Sequence, residues 1–318
     1  MGEIVLDFER PIVELEKKIT EMKAYAVEEN VELADEIKRL ETRLYRLMQD
    51  TYSKLNRWQR VQLARHPNRP YTLDYVERIF TDFIEIHGDR QFADDPALVA
   101  GLARLNGEPV VVLGQQKGRT TKEKLYRNFG MMNPEGYRKA LRVMKLAAKF
   151  KKPVVILIDT PGAYPGIGAE ERGQGEAIAR NLFEMSHLPV PIIIVIIGEG
   201  ASGGALGIGV GDRILMMENA WYSVISPEAC AAILWRDSTK GVLAAEALKL
   251  TAGDLIELGV IDEVIQEPVG GAQRAYDEAA RKVKEHIVKN LDSIRDIPPA
   301  VLIENRINKY GKMGFFKE

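Results

Sequence analysis

The chain has 318 residues, with 44 lysines and arginines against 46 aspartates and glutamates, a formal charge of −2, and 46% hydrophobic residues. That composition can bury a large core in one or two domains, and the even charge balance gives no reason to expect a nucleic-acid or membrane-surface partner. A single cysteine, Cys230, excludes an internal disulfide framework or a paired-cysteine zinc site, and no apolar stretch reaches bilayer length, so a cytoplasmic protein is expected.

In chain order, residues 10–60 carry two heptad-like runs, Ile12, Leu15, Ile19, Met22 and Ala26, then Leu33, Ile37, Leu40, Leu44 and Leu47. Apolar residues alternating at three and four predict two helices packed as a hairpin, breaking near Glu28-Glu29-Asn30, with packing rather than catalysis as their role. The two prolines of His66-Pro67-Asn68-Arg69-Pro70 end the helical pattern, which places a domain boundary there and divides the chain into an arm (1–65), a main domain (66–294) and a helical tail (295–318). Thr72 is expected to cap a helix whose inward face is Val76, Ile79, Phe80, Phe83 and Ile84. Strands at 98–105 and 109–113 flank Asn106-Gly107, a pair suited to a two-residue turn with both φ angles positive.

The basic run Lys117-Gly118-Arg119-Thr120-Thr121-Lys122-Glu123-Lys124 reads as a solvated loop, with phosphates or an acidic partner surface as the alternative, and a helix follows at 134–150. Strand and helix then alternate: a strand at 153–159 ending in Thr160-Pro161-Gly162-Ala163-Tyr164-Pro165-Gly166, a helix at 170–185 and a strand at 191–197. After the glycine-rich segment 198–207 come strands near 213–217 and 222–225, helices at 227–234 and 244–258, a strand at 260–265 and a helix at 273–289. Apolar strands separated by helices predict parallel pairing and an α/β domain. Cys230 sits among alanines as a small core residue.

The decapeptide Gly198-Glu199-Gly200-Ala201-Ser202-Gly203-Gly204-Ala205-Leu206-Gly207 fits several chemistries at once. Gly198, Gly200 and Gly203 satisfy the dinucleotide pattern, with Glu218 placed as a ribose-binding acid, although the following helix is short. Gly200, Ser202 and Gly204 satisfy the nucleophile-elbow pattern, but His286, on a charged helix face, is the one downstream histidine. Alternatively, Gly203 and Gly204 aim backbone N–H groups at one oxygen and form an oxyanion hole, or the glycines simply permit close packing.

Three stretches decide among these: Ile158-Asp159-Thr160-Pro161-Gly162-Ala163-Tyr164-Pro165-Gly166 with Glu170-Glu171-Arg172-Gly173-Gln174, the decapeptide itself, and Tyr222-Ser223-Val224-Ile225-Ser226-Pro227-Glu228. With residues 66–75, Gly114-Gln115-Gln116-Lys117-Gly118-Arg119 and Arg127-Asn128-Phe129-Gly130-Met131, they resemble the alpha-subunit family of bacterial acetyl-coenzyme A carboxylase carboxyltransferases over nearly the whole chain. The resemblance implies a crotonase-like (ClpP/crotonase) α/β fold, a spiral of ββα units, here with an N-terminal helical hairpin. It implies transfer of a carboxyl group from carboxybiotin on a carrier protein to acetyl-CoA, giving malonyl-CoA for fatty acid synthesis. It further implies a zinc-bearing beta subunit, an α2β2 assembly, and biotin carboxyl carrier protein and biotin carboxylase as partners, with no metal in this chain. Carried over residue by residue, Gly203 and Gly204 hold the biotin ureido oxygen, Gly162, Ala163 and Tyr164 line the neighbouring turn, Ala205 adjoins the pair, and Ser202 shapes the loop without acting as a nucleophile. A non-catalytic scaffold, a hydrolase, or another acyl-CoA enzyme using Glu170 or Glu171 remain the rival expectations.

Overall fold

The computed structural model describes residues 4–314. Helices α1 (Arg10–Glu28) and α2 (Ala34–Ser53) form the expected hairpin, and every residue of the two heptad runs is buried or half-buried. Its base is fastened by Ile12, Tyr52, Leu55 and Leu63, and by Glu9, which accepts a hydrogen bond from the Tyr52 hydroxyl at 2.5 Å. After α3 (Arg57–Ala64), the helix α4 (Thr72–Ile79) ends earlier than its apolar pattern predicts. Phe83 and Ile84 belong instead to an edge strand, β1 (Thr81–Glu85), and Ile84 is 64% exposed. Thr72 does not cap α4: its hydroxyl donates to the Gln115 carbonyl at 2.6 Å, while the Asp74 carboxylate accepts from the Tyr71 amide.

Strands β2 (Leu98–Leu105) and β3 (Glu108–Gln115) close on Asn106 and Gly107, whose φ angles of 51° and 84° are those of the expected turn. The segment read as a solvated basic loop contains a short helix, α5 (Thr121–Tyr126), capped by the Thr120 side chain. There follow α6 (Pro134–Lys149), β4 (Val154–Thr160), α7 (Ile167–Glu171), α8 (Gln174–Ser186), β5 (Ile192–Ala201), α9 (Ser202–Leu206), β6 (Arg213–Met217) and β7 (Trp221–Ser223). The chain continues through α10 (Pro227–Trp235), α11 (Gly241–Leu248), α12 (Ala252–Glu257), β8 (Glu263–Ile265), α13 (Tyr276–Asp292) and α14 (Pro299–Gly311). The helix expected at 170–185 is two helices because Gly173 is left-handed, φ 84°, and the one expected at 244–258 is interrupted at Leu250-Thr251.

The strands form one mixed sheet in the order β1-β2-β3-β4-β5-β6-β8, antiparallel from β1 to β3 and parallel from β3 onward, with β7 paired to the far end of β5. Every residue of β4 and β5 is buried, as parallel strands covered on both faces must be. One layer is built from α4 and α13, the other from α6 and α8. The tail is tied to the sheet by Arg306, 1% exposed, which bonds both oxygens of Asp212 at 2.9 and 2.7 Å and donates to the carbonyls of Met185, Leu188 and Val190. Residues 315–318 of the expected tail lie outside the described residues.

Replacing Arg306 by Met leaves Asp212 and three carbonyls without their buried donor. Breaking such a pair from one side is expected to cost about 3–5 kcal/mol in chemical denaturation, and a loss under about 1 kcal/mol would show that the tail does not stabilise the sheet.

Candidate active site at the ends of the central strands

The decapeptide does not form one loop. Residues 198–201 continue β5, and the turn is compressed to the junction of Ala201 with Ser202, whose φ of 55° is left-handed. Strand β5 runs beside β4 in register as far as Ile158 opposite Ile196, and the next pair is Thr160 opposite Gly200. Ile197, Gly198 and Glu199 therefore stand against Asp159 alone. At this bulge β5 leaves β6 and pairs with β7, Glu199 opposite Trp221.

A bulge between buried strands orphans backbone groups, and each one must find a partner. The Ile197 carbonyl accepts from Arg69 Nε at 2.7 Å, the Glu199 amide donates to Asp159 Oδ1 at 2.9 Å, and the Asp159 amide donates to Gln115 Oε1 at 3.1 Å. Gly198 has to be glycine here, because a Cβ would lie 2.4 Å from Asp159 Oδ1. Arg69 is itself neutralised by Glu267 at 2.5 Å, with both side chains buried.

Lys117 closes the cluster. Its Nζ lies 2.6 Å from Asp159 Oδ1 and 2.7 Å from Glu199 Oε2, while Arg65 reaches the other oxygen of Glu199 at 2.7 Å and also pairs with Glu228. Burial pulls the Lys117 ammonium toward neutrality, but the two carboxylates outweigh it and hold its pKa above the ordinary lysine value. Burial lifts Asp159 above the usual carboxylate range, an effect Lys117 offsets only in part; for Glu199, burial is outweighed by Lys117 and Arg65, and its pKa falls. The reading of residues 117–124 as a solvated loop is corrected at Lys117, the residue that anchors the site. A cleft of ≈ 260 Å³ opens over this cluster between Arg65, Tyr71, Lys117, Lys124, Phe129 and Pro161. At its rim Asn128 and Phe129 are both left-handed, φ 46° and 56°.

Among the residues expected at the site, Gly204, Gly162 and Ala163 come together: a Cβ on Gly204 would lie 2.2 Å from the Gly162 carbonyl carbon and 2.6 Å from the Ala163 nitrogen. Gly203 is half-exposed beside Ile178. Tyr164 is half-buried, its amide bonded to the Met132 carbonyl and its ring folded over Gly166. The side chain of Ala205 is fully buried in the core. No side chain caps α9, so the amides of its first turn, Ser202, Gly203 and Gly204, have no partner within the helix or from a cap.

The competing patterns fail on geometry. Gly198 and Gly200 lie in a strand rather than a phosphate-binding turn, and Glu218 is engaged by Arg60 and the Glu267 amide. Among the described residues no histidine bonds Ser202: His66 contacts Ile4 and Asn68, His87 Asp94, His187 Ser186 and Phe183, and His286 Glu263. Glu170 and Glu171 are exposed on α7. Among the described residues no three His, Cys, Asp or Glu side chains gather to hold a metal ion.

Lys117→Met removes the cation between Asp159 and Glu199. Asp159, already lifted by burial, is then held further above its unfolded value of about 4, while Glu199 keeps Arg65, so the folded variant binds more protons than the unfolded chain and loses stability as pH rises through that window. Its Tm is expected to rise more steeply than that of the unmodified chain as pH falls from about 8 to about 5; parallel Tm profiles would contradict this.

Residues 5–314 match the family model described as acetyl co-enzyme A carboxylase carboxyltransferase-like. The acetyl-coenzyme A carboxylase carboxyl transferase subunit alpha of Syntrophotalea carbinolica is 60% identical over 98% of this chain and 99% of its own length, and that of Geobacter metallireducens is 58% identical over 98% of each. Among solved structures, the transcarboxylase 12S core superimposes with a TM-score of 0.57 at 20% identity, over 77% of this chain and 42% of its own. A Pseudomonas malonate decarboxylase hetero-tetramer does so at 0.56 and 17%, over 68% of this chain and 87% of its own. These neighbours share the crotonase-like α/β fold. With matches along nearly its full length, the chain belongs to the acetyl-coenzyme A carboxylase carboxyltransferase alpha-subunit family, the carboxyl-transferring subunits of that enzyme.

Proposed function

We propose that the chain, together with a zinc-bearing beta-type partner in an α2β2 assembly, moves the carboxyl group of carboxybiotin onto acetyl-CoA. Carboxybiotin releases carbon dioxide, the ureido anion takes a proton from the methyl group of the thioester, and the resulting enolate attacks carbon dioxide to give malonyl-CoA. Biotin arrives on a carrier protein after loading by biotin carboxylase, in the cytoplasm, and the product feeds fatty acid synthesis. Within this reading, Gly203 and Gly204 present their amides to the biotin ureido oxygen as charge develops on it, and Gly162, Ala163 and Tyr164 with Ala205 form the adjoining wall.

The observation that carries the site assignment is the uncapped first turn of α9 beside the turn at Gly162. Such donors are positioned before reaction and each is worth about 3–4 kcal/mol toward a developing oxyanion in a dry site. Gly204 is packed so closely on Gly162 that adding a side chain there would wedge the two turns apart, so substitution at Gly204 probes packing as much as oxygen binding. Ser202, exposed and without a bonded histidine, serves as the left-handed corner.

Mixed with its partner, the chain is expected to catalyse biotin-dependent decarboxylation of malonyl-CoA, and to show no turnover alone; full activity of the isolated chain would refute the shared site. Ser202→Ala in the complex is expected to keep activity within about threefold, because the backbone donors remain. Complete loss, together with covalent labelling of Ser202 by a serine-directed phosphonate, would establish a nucleophile instead.

A further inference from the structure

Gln115, which closes β3, is fully buried and makes no contact with the cleft, yet its side chain bridges the two elements on which the proposed site depends. Nε2 donates to the Gly204 carbonyl at 3.0 Å, and Oε1 accepts from the Asp159 amide at 3.1 Å. Its orientation is unambiguous: the oxygen must face an N–H and the nitrogen a C=O, so the reversed amide would lose both bonds. The backbone carbonyl of Gln115 is held in turn by the Thr72 hydroxyl at 2.6 Å. On its other side Asp159 accepts from the Glu199 amide and the Lys117 ammonium.

Glycine has the widest backbone freedom, so residue type alone does not aim the peptide planes of Gly203-Gly204; the Gly207 amide holds the Gly203 carbonyl at 2.9 Å, and the Gly204 carbonyl is held by Gln115. An oxyanion hole, however, works only if its donors are fixed before charge develops. We propose that Gln115 is the positioning residue of the α9 turn, clamping the Gly204 carbonyl to the Asp159 end of β4 and thereby fixing the orientation of the neighbouring amides. The clamp acts on turnover rather than on acyl-CoA binding, since Gln115 touches the biotin side of the site through Gly204 alone. The inference rests on the function proposed above.

Two variants test it in the reconstituted complex, assayed by biotin-dependent malonyl-CoA decarboxylation. Gln115→Met keeps the volume of the side chain and removes both hydrogen bonds. Its kcat is expected to fall about tenfold or more, with the KM for malonyl-CoA within about threefold. Gln115→Glu can accept from Asp159 but, when ionised, cannot donate to Gly204; protonation restores a donor. Its kcat relative to the unmodified complex is therefore expected to recover as pH falls from about 8 to about 6, while that of Gln115→Met does not. Val143→Ala, a fully buried truncation on α6, supplies the stability control.

If the unmodified complex turns over and Gln115→Met stays within about twofold of it, the positioning role is overturned. It is overturned equally if Val143→Ala loses as much kcat at a matched Tm, or if the Gln115→Glu defect is independent of pH. Absence of turnover in the unmodified complex refutes the proposed function itself, which separates the two failures.

Discussion

The fold around the site depends on one loss of register. Between Ile158 and Thr160 on β4, and Ile196 and Gly200 on β5, three residues oppose one inside a region covered on both faces. Buried backbone groups without partners cost about 1–3 kcal/mol each, so a bulge here persists only if side chains replace the missing ladder. Arg69, Asp159 and Gln115 do so, from sequence positions as far apart as 69 and 159. The bulge lets β5 exchange β6 for β7, and that exchange carries Ala201 to the corner from which α9 starts.

The charges beneath the cleft are a consequence of the same arrangement. Asp159 and Glu199 are drawn together by the bulge, and Lys117 and Arg65 are needed to keep two buried carboxylates tolerable. Buried ion pairs rarely add net stability, because desolvation consumes most of the attraction. Their value here is geometric: the cluster admits one placement of β5 against β4, and with it one placement of Ser202 to Gly204 against Gly162. A left-handed serine and a glycine with no room for a methyl group mark where local backbone preference gave way to that placement.

Much of this fold was legible in the sequence wherever the determinant is local. The heptad runs, the Asn106-Gly107 turn and the apolar strands 154–160 and 192–197 each carry their signal within a few residues. Elements failed where a distant partner overruled the pattern: Phe83 and Ile84 continue a helical stripe but are claimed as strand by pairing with β2. Lys117 lies in a basic run that reads as solvated, and its carboxylates are 42 and 82 residues away. The clue was present nonetheless, in an Asp ending one wholly apolar strand, a Glu near the end of another, and a Gln-Gln-Lys closing a third. The glycines carried the motif, but the side chains that fix them are polar, buried and scattered, which no spacing reveals.

In the proposed reading, this scaffold holds the amides of Gly203 and Gly204 ready for one oxygen. A crystal structure of the chain with its beta-type partner and biotin tests it most directly. The ureido oxygen is expected about 2.7–3.1 Å from the nitrogens of Gly203 and Gly204, with the Gln115 bridge intact. Biotin bound with that oxygen on any other donor, or the turn rearranged away from Gly162, would contradict it.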